Sequence, residues 1–404
     1  MNDVVISGIG VVTANGSNLD AYWENTLAGR NAIAPISRFD PGAYPVRLAA
    51  EVTDFESNEL IASRLVVQTD VWTQFALHAT DRALADAGID LAGLDEYDMG
   101  VVTASSSGGN EFGQREISRL WTQGPAKVST YQSIAWFYAA TTGQISIKHG
   151  MRGPCGVLVG EQAGGLDAIG QTRRTLRSGA RLVVTGGTEA SLSPYALVCQ
   201  LSSGLVSRSD RPDRAYLPFD SDASGYVPGE GGAILVAESG PDARARDSSH
   251  PYGRIAGYAA TFDPAPGRRG EPGLGRAARA AIADAALHPD DIDVVFADAA
   301  GVPELDRAEA RAIAELFAPR VVPVAAPKSL TGRLYAGGGP LDVVSALLSI
   351  RDGIVPPANA AIRVDPEHAI DLVTARPRPM TVQAALVLAR GFGGFNSAVV
   401  VTAP

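Results

Sequence analysis

Residues 143–165 read GQISIKHGMRGPCGVLVGEQAGG: a helix ending at a glycine turn, a short apolar strand, and a sharp bend into a helix of small residues. A strand-to-helix elbow of this kind projects one side chain into a site and aims backbone N–H groups at it. The side chain presented here is Gln162. An amide offers a donor and an acceptor but cannot form an acyl-enzyme.

Outward from the elbow, short apolar strands alternate with helical patterns. Residues 4–12 (VVISGIGVV) read as a buried strand, and Ser17-Asn18 caps a helix over 19–28 that stops at Gly29. Further strands are expected at 100–103, 181–185, 233–237, 292–296, 385–389 and 398–401, which points to an α/β protein with buried sheets. An internal echo adds to this. Leu84-Ala85-Asp86-Ala87 and Ile282-Ala283-Asp284-Ala285 each end a helix that leads through an acidic loop into a strand, 198 residues apart. GEGGAILVAE (229–238) and GFGGFNSAVVVTA (391–403) each pair a Gly-rich stretch with a β-branched strand. These repeats predict two similar halves related by a pseudo-twofold axis. The alternative is that any α/β chain contains such helix–strand units. The halves divide as residues 1–245 and 246–404, with the seam in 239–252, rich in Asp, Arg, Ser and Gly.

At 404 residues with 46% apolar content, the chain can bury a sizeable core. Its net charge of −10 disfavours nucleic acid as a partner. No apolar run has the length of a membrane span. The N-terminus lacks the basic and apolar regions of a signal sequence. Cys155 and Cys199 form neither a disulfide framework nor a metal pair, so a cytoplasmic location is expected, with both cysteines as small packing residues. His78, His149, His250, His288 and His368 are too far apart to make a zinc motif, and each reads as a surface or helix-end residue. GRLYAGGGP (332–340) lacks the Lys-Ser/Thr ending of a phosphate loop, and Gly8-Ile9-Gly10 lacks the third glycine of a dinucleotide fingerprint. Neither a cofactor nor a metal is expected.

PFDSDASGYVPGEGGAILVAE (218–238), KSLTGR (328–333) and GFGGFN (391–396), with the elbow before them, resemble in order and spacing the ketosynthases of the thiolase superfamily over nearly the full chain. That family carries a nucleophilic cysteine at the elbow, then His-Gly-Thr-Gly-Thr, Lys-Ser-x-x-Gly-His and Gly-Phe-Gly-Gly-x-Asn. The departures fall on the chemistry. Gln162 stands at the cysteine, Asp298 at the first histidine and Arg333 at the second, while Lys328, Gly391, Phe392 and Gly393 are retained. The heptapeptide VGEQAGG (159–165) is similar to that of chain-length factors, the β subunits of ketosynthase heterodimers in aromatic polyketide synthases.

The resemblance implies a thiolase-like duplicated fold, five-layered αβαβα. It implies a heterodimer with a catalytic ketosynthase subunit, which condenses malonyl units delivered on an acyl carrier protein. A positioned histidine is worth about 10²–10⁴ in rate and an oxyanion donor about 10²–10³, and this chain lacks the nucleophile and both histidines. The remaining catalytic reading is a malonyl decarboxylase with glutamine at the cysteine position. Such enzymes keep the histidines that stabilise an enolate, whereas Asp298 would repel one. In chain-length factors a helix face lines the polyketide tunnel. Here that face corresponds to Asn110, Gly113 and Ile117, spaced by three and four on a helix within 109–120, with Phe112 and Tyr195 also assigned to the tunnel. The small residues among them imply an open gate and a long product, on the order of ten or more ketide units by analogy. Ordinary core packing would give the same spacing.

Overall fold

The computed structural model describes residues 3–246, 251–265 and 271–404. Positions 247–250 of the expected seam, His250 among them, lie outside the described residues. Eleven strands form the main sheet: β1 (Val4–Thr13), β2 (Met99–Ala104), β3 (Cys155–Leu158), β4 (Leu182–Glu189), β5 (Gly231–Ser239), β6 (Gly253–Phe262), β7 (Val294–Phe296), β8 (Pro323–Ala325), β9 (Asp371–Leu372), β10 (Ala384–Gly391) and β11 (Phe395–Thr402). Their order is β9-β8-β7-β10-β11-β6-β1-β5-β4-β2-β3. Only two residue pairs, Val5–Arg254 and Ile6–Gly253, join β1 to β6.

Read outward from that junction, the two sides have the same plan. In β1-β5-β4-β2-β3 the first two pairings are antiparallel and the next two parallel. The run β6-β11-β10-β7-β8 repeats the pattern. Helices follow suit. Helix α1 (Val71–Ala87) precedes β2 and α7 (Gly273–Asp284) precedes β7, each packed on the outer face of its own side. Helix α5 (Glu161–Arg177) follows β3 and α9 (Gly338–Asp352) follows β8, and both touch strands of the two sides at once. The ribbon of strands therefore wraps around α5 and α9. The layers run helix, sheet, helix pair, sheet, helix, which is the thiolase-like arrangement.

The duplicated tetrapeptides occupy equivalent places. Strand β1 bulges at Ser7 and β6 at Ala256. After each bulge a glycine lies against the last turns of the outer helix: a Cβ on Gly8 would overlap the Ala83 carbonyl, and one on Gly257 that of Ala281. The next N–H, of Ile9 or Tyr258, donates to Asp86 at 2.8 Å or Asp284 at 3.0 Å. The repeated aspartates thus pin each outer helix to its strand by satisfying the donor that the bulge frees from the ladder.

The central core joins Leu166 and Ile169 of α5 to Leu341, Val344 and Leu348 of α9, beneath strands from both sides. Two further clusters seat Trp72 and Phe75 of α1, and Leu274 and Ile282 of α7, on the outer faces. Each fully buried aliphatic side chain contributes about 1.5–3 kcal/mol. A Cβ on Gly165 would lie 2.5 Å from both the Ala336 carbonyl and Pro340 Cδ, so glycine lets the start of α5 approach α9 closely. That contact fixes the elbow against the second half.

Candidate functional site

The expected segment is present: α4 (Ala140–His149), the left-handed Gly150, strand β3, then α5 opening after Gly160. The elbow differs in one respect. The residue with left-handed backbone is Glu161, at φ +52°, and its side chain lines the adjacent cavity. Gln162 instead turns inward and is fully buried. The physical reason is a partner on that side: Gln162 Nε2 donates to Asp298 Oδ1 at 2.9 Å. An ionised carboxylate only accepts, so the amide orientation is fixed. Gln162 Oε1 finds no hydrogen-bond partner; a Cβ on Gly338 would sit 3.0 Å from it.

Asp298 is the hub of a buried ion network. Its Oδ1 accepts from Arg390 N at 2.9 Å and lies 3.4 Å from Arg333 Nη1, while Oδ2 accepts from Arg390 Nε at 3.3 Å. Burial alone would push this carboxyl up. Arg333, Arg390 and Lys328 overcome it and hold the group below the usual carboxylate range. Asp298 N and Ala299 N donate to Glu309 of α8 (Pro303–Phe317) at 2.7 and 2.9 Å, and Gly301 N donates to Asp306 at 3.1 Å. The loop that would carry His-Gly-Thr-Gly-Thr is therefore tied down by two carboxylates of its own helix. Arg390 closes the circuit, donating to Glu309 at 3.0 Å and to the Leu305 carbonyl at 2.9 Å.

Arg333 is also buried. It donates to the Arg390 carbonyl at 2.8 Å, reaches Glu161 at 3.3 Å and lies 5.4 Å over the Tyr226 ring. Lys328 forms a buried ion pair with Asp342 at 2.6 Å. Gly391 lies against the Gly160 carbonyl, Gly393 adopts φ +88°, and Phe392 N donates to Glu161 at 2.6 Å. Among the described residues, the side-chain hydrogen-bond partners of Asp298 and Arg333 are amide, guanidinium, carboxylate and backbone groups, with no thiol or imidazole among them.

A cavity of about 830 Å³ adjoins the network, lined by Glu161, Asp298, Arg333 and residues 390–394 at one side and by Asn110, Trp136, Tyr138 and Tyr195 at another. Of the residues assigned to a tunnel, Asn110 and Tyr195 line it; Phe112, Gly113 and Ile117 do not. All but Tyr195 lie on α2 (Asn110–Gln123), helical as expected. Phe112 points into the protein, with the Arg115 guanidinium 4.5 Å over its ring. Gly113 faces Trp136, whose Cδ1 would be 3.2 Å from an added Cβ, so an indole fills the space that the missing side chain leaves. Ile117 is 49% exposed on the outer surface.

That surface is apolar. Trp121 is 81% exposed, Trp136 is 53%, and Ile134 and Phe137 are exposed beside them. Helix α2 packs on α6 (Pro194–Leu201), and α4 packs on β3, the edge strand with Val159 exposed at its end. Exposed apolar area of this kind around an unpaired edge marks a protein–protein interface. Both cysteines are exposed rather than packed: Cys155 lies on edge strand β3 and Cys199 lines the cavity. His78 and His368 are buried, against Phe55 and Phe219, instead of lying at the surface. Glu161, Arg390, Glu309 and Trp136 escaped the sequence reading. Glu161 lies inside the quoted heptapeptide and Arg390 immediately precedes GFGGFN, and that placement was the one available signal.

Fold and site together define a thiolase-type scaffold with a closed ion network around Gln162, Asp298 and Arg333 at its elbow. The Beta-ketoacyl synthase N-terminal domain model matches residues 1–242, and the C-terminal domain model matches 252–361. The chain is 56% identical to the tetracenomycin polyketide synthase ketoacyl synthase beta subunit of Streptomyces glaucescens and 55% identical to the actinorhodin polyketide β-ketoacyl synthase 2 of Streptomyces coelicolor, with 98% of each chain covered. The solved structure of the ishigamide ketosynthase/chain length factor superposes with a TM-score of 0.92 at 25% identity, covering 100% of this chain and 99% of that one. The chain belongs to the β-ketoacyl synthase family.

Proposed function

We propose that this chain is the non-catalytic, chain-length-determining subunit of a type II polyketide ketosynthase heterodimer. The observation that carries the reading is the fully buried Gln162, whose amide nitrogen donates to an ionised Asp298 that two arginines hold. Decarboxylative condensation of malonyl-acyl carrier protein then takes place in the partner ketosynthase. The apolar face around β3, α2 and Trp136 is where that partner packs. Obligate interfaces of this type bury roughly 2,000–5,000 Å². No helix among the described residues is long and apolar enough to cross a membrane, and two free cysteines suit the reducing cytoplasm in which we place the complex.

The decarboxylase reading loses its donor in this geometry. Gln162 would have to aim its amide N–H at a thioester oxygen, but its side chain is fully buried and its amide nitrogen is drawn to Asp298. Substituting the nucleophile alone should restore nothing. In a Gln162→Cys variant the thiol would face the Asp298 carboxylate, which disfavours a second negative charge and holds the thiol above its ordinary pKa of about 8.5. We expect background iodoacetamide labelling at position 162, no acyl-enzyme and no carbon dioxide from malonyl carrier protein. Stoichiometric acylation at position 162, read by mass spectrometry, would contradict this.

The test of the length-setting role is product mass. Ile117 is exposed on the proposed partner face without filling a cavity of its own chain. Co-expression of Ile117→Phe with the ketosynthase should release a polyketide shorter by one or more two-carbon units at near-normal yield. The chemistry sits in the other subunit, so yield is spared. An unchanged product at normal yield would show that this face does not line the tunnel. Gly113→Phe is a poorer probe, since it must first displace Trp136.

A further inference from the structure

Glu161 holds a backbone that costs a branched or long side chain more than glycine, at φ +52°. Glycine stands on one side of it at Gly160 and again at Gly164 and Gly165, yet this position carries a carboxylate. The side chain is therefore what the strained position serves. Its two oxygens meet two donors that converge from distant parts of the chain: Phe392 N at 2.6 Å and Arg333 Nε at 3.3 Å. The glutamate is 20% exposed and lines the 830 Å³ cavity. Close contact between Gly391 and the Gly160 carbonyl holds the Phe392 N–H at the mouth of the elbow. Arg333 stays paired through Asp298 and the Arg390 carbonyl whether or not Glu161 is there.

A backbone N–H and a buried guanidinium facing one point of a cavity form a carboxylate-binding pair. We propose that Glu161 is a tethered ligand: its carboxylate fills a carboxylate-binding position at the base of the cavity and shuts free carboxylates out of it. Emptied of the glutamate, that position takes a small carboxylate such as malonate. The plug goes beyond the length-setting role and stands whichever subunit fixes the product.

Removing the side chain tests it. Glycine suits a left-handed backbone, so Glu161→Gly should fold and assemble. Glu161→Asn, which also tolerates that backbone and is too short to reach Phe392 N, serves as a second vacated variant. Glu161→Gln keeps the length and can refill the N–H without the charge. All are prepared as complexes with a ketosynthase partner, whose own response to the probe is common to every sample. Sodium malonate is titrated at constant ionic strength while the thermal midpoint is followed. The vacated variants should show a saturable rise with at least tenfold tighter apparent binding than wild type, and Glu161→Gln should follow wild type. Identical titrations for all four proteins, or wild type binding malonate as tightly as the vacated forms, would overturn the proposal. So would vacated variants that assemble but fail to respond.

Discussion

Arg390→Met should destabilise the chain by about 3–5 kcal/mol, because it strands buried carboxylates instead of removing a balanced pair. Arg390 alone touches Asp298, Glu309 and the Leu305 carbonyl through one guanidinium. Methionine fills much of the volume but leaves Glu309 without its cation, and leaves Asp298 with Arg333 as its one remaining ion-pair contact, at 3.4 Å. The loop bearing Asp298 and Ala299, tied to Glu309, loses its anchor at the same stroke. A surface pair gives the scale. Arg211 and Asp213 meet at 2.8 Å with both side chains mostly in solvent, and Arg211→Met should leave the denaturation midpoint close to that of wild type. Urea denaturation of the two variants beside wild type separates them. Equal midpoints would mean that the network does not bear on stability, and that the arginines are ornament to a core held by apolar contacts.

The same network shows where sequence reading stops. Gln162, Asp298 and Arg333 were each legible, because ordered motifs place them on their neighbours and because each substitution is conspicuous against the pattern. That Asp298 joins the other two was not, since it lies 136 residues from Gln162. Arg390, which bonds both Asp298 and Arg333, belongs to no motif. The elbow was read correctly as a strand-to-helix turn, but which of two adjacent side chains faces the cavity depends on φ at Glu161, and one-dimensional pattern carries no φ. At Gly113, one of the three residues behind the expected open gate, the neighbouring space is taken by Trp136, a residue 23 positions away that a helical-face argument confined to α2 could not weigh. Among the strands, β6, β8 and β9 were missed, and β6 is the long one. Its sequence, GRIAGYAATF, is small and glycine-containing, with little of the β-branched content that marks a strand. Its partners explain that composition. The strand must let α7 approach within backbone contact, and large residues on that face would prevent it.

Gly257 makes that reason testable, and its expected effect is large. A Cβ there would overlap the Ala281 carbonyl and lie 2.8 Å from Ala285 N and 2.9 Å from Ala285 Cβ. Two of these are backbone atoms of α7 and of Ala285, which caps it, and they cannot rotate aside, so Gly257→Val must lift the end of the helix off the sheet. The cost should exceed the roughly 1–3 kcal/mol of ordinary overpacking, because separating helix from strand also breaks the Tyr258 N to Asp284 bond. Trimming Ala281 offers no relief, the obstruction being its carbonyl oxygen. Gly275, inside α7 itself, should behave oppositely. Its nearest neighbour to an added Cβ is Ala312 Cβ at 3.6 Å, an ordinary contact. Gly275→Ala therefore adds no clash and relieves the helix of glycine's conformational entropy, worth roughly 0.5–1 kcal/mol. Thermal midpoints should move in opposite directions for these two glycines. Should Gly257→Val melt with wild type, backbone contact between strand and outer helix is not what shaped the sequence of β6, and the match between Gly8 and Gly257 is coincidence rather than the trace of a duplicated unit.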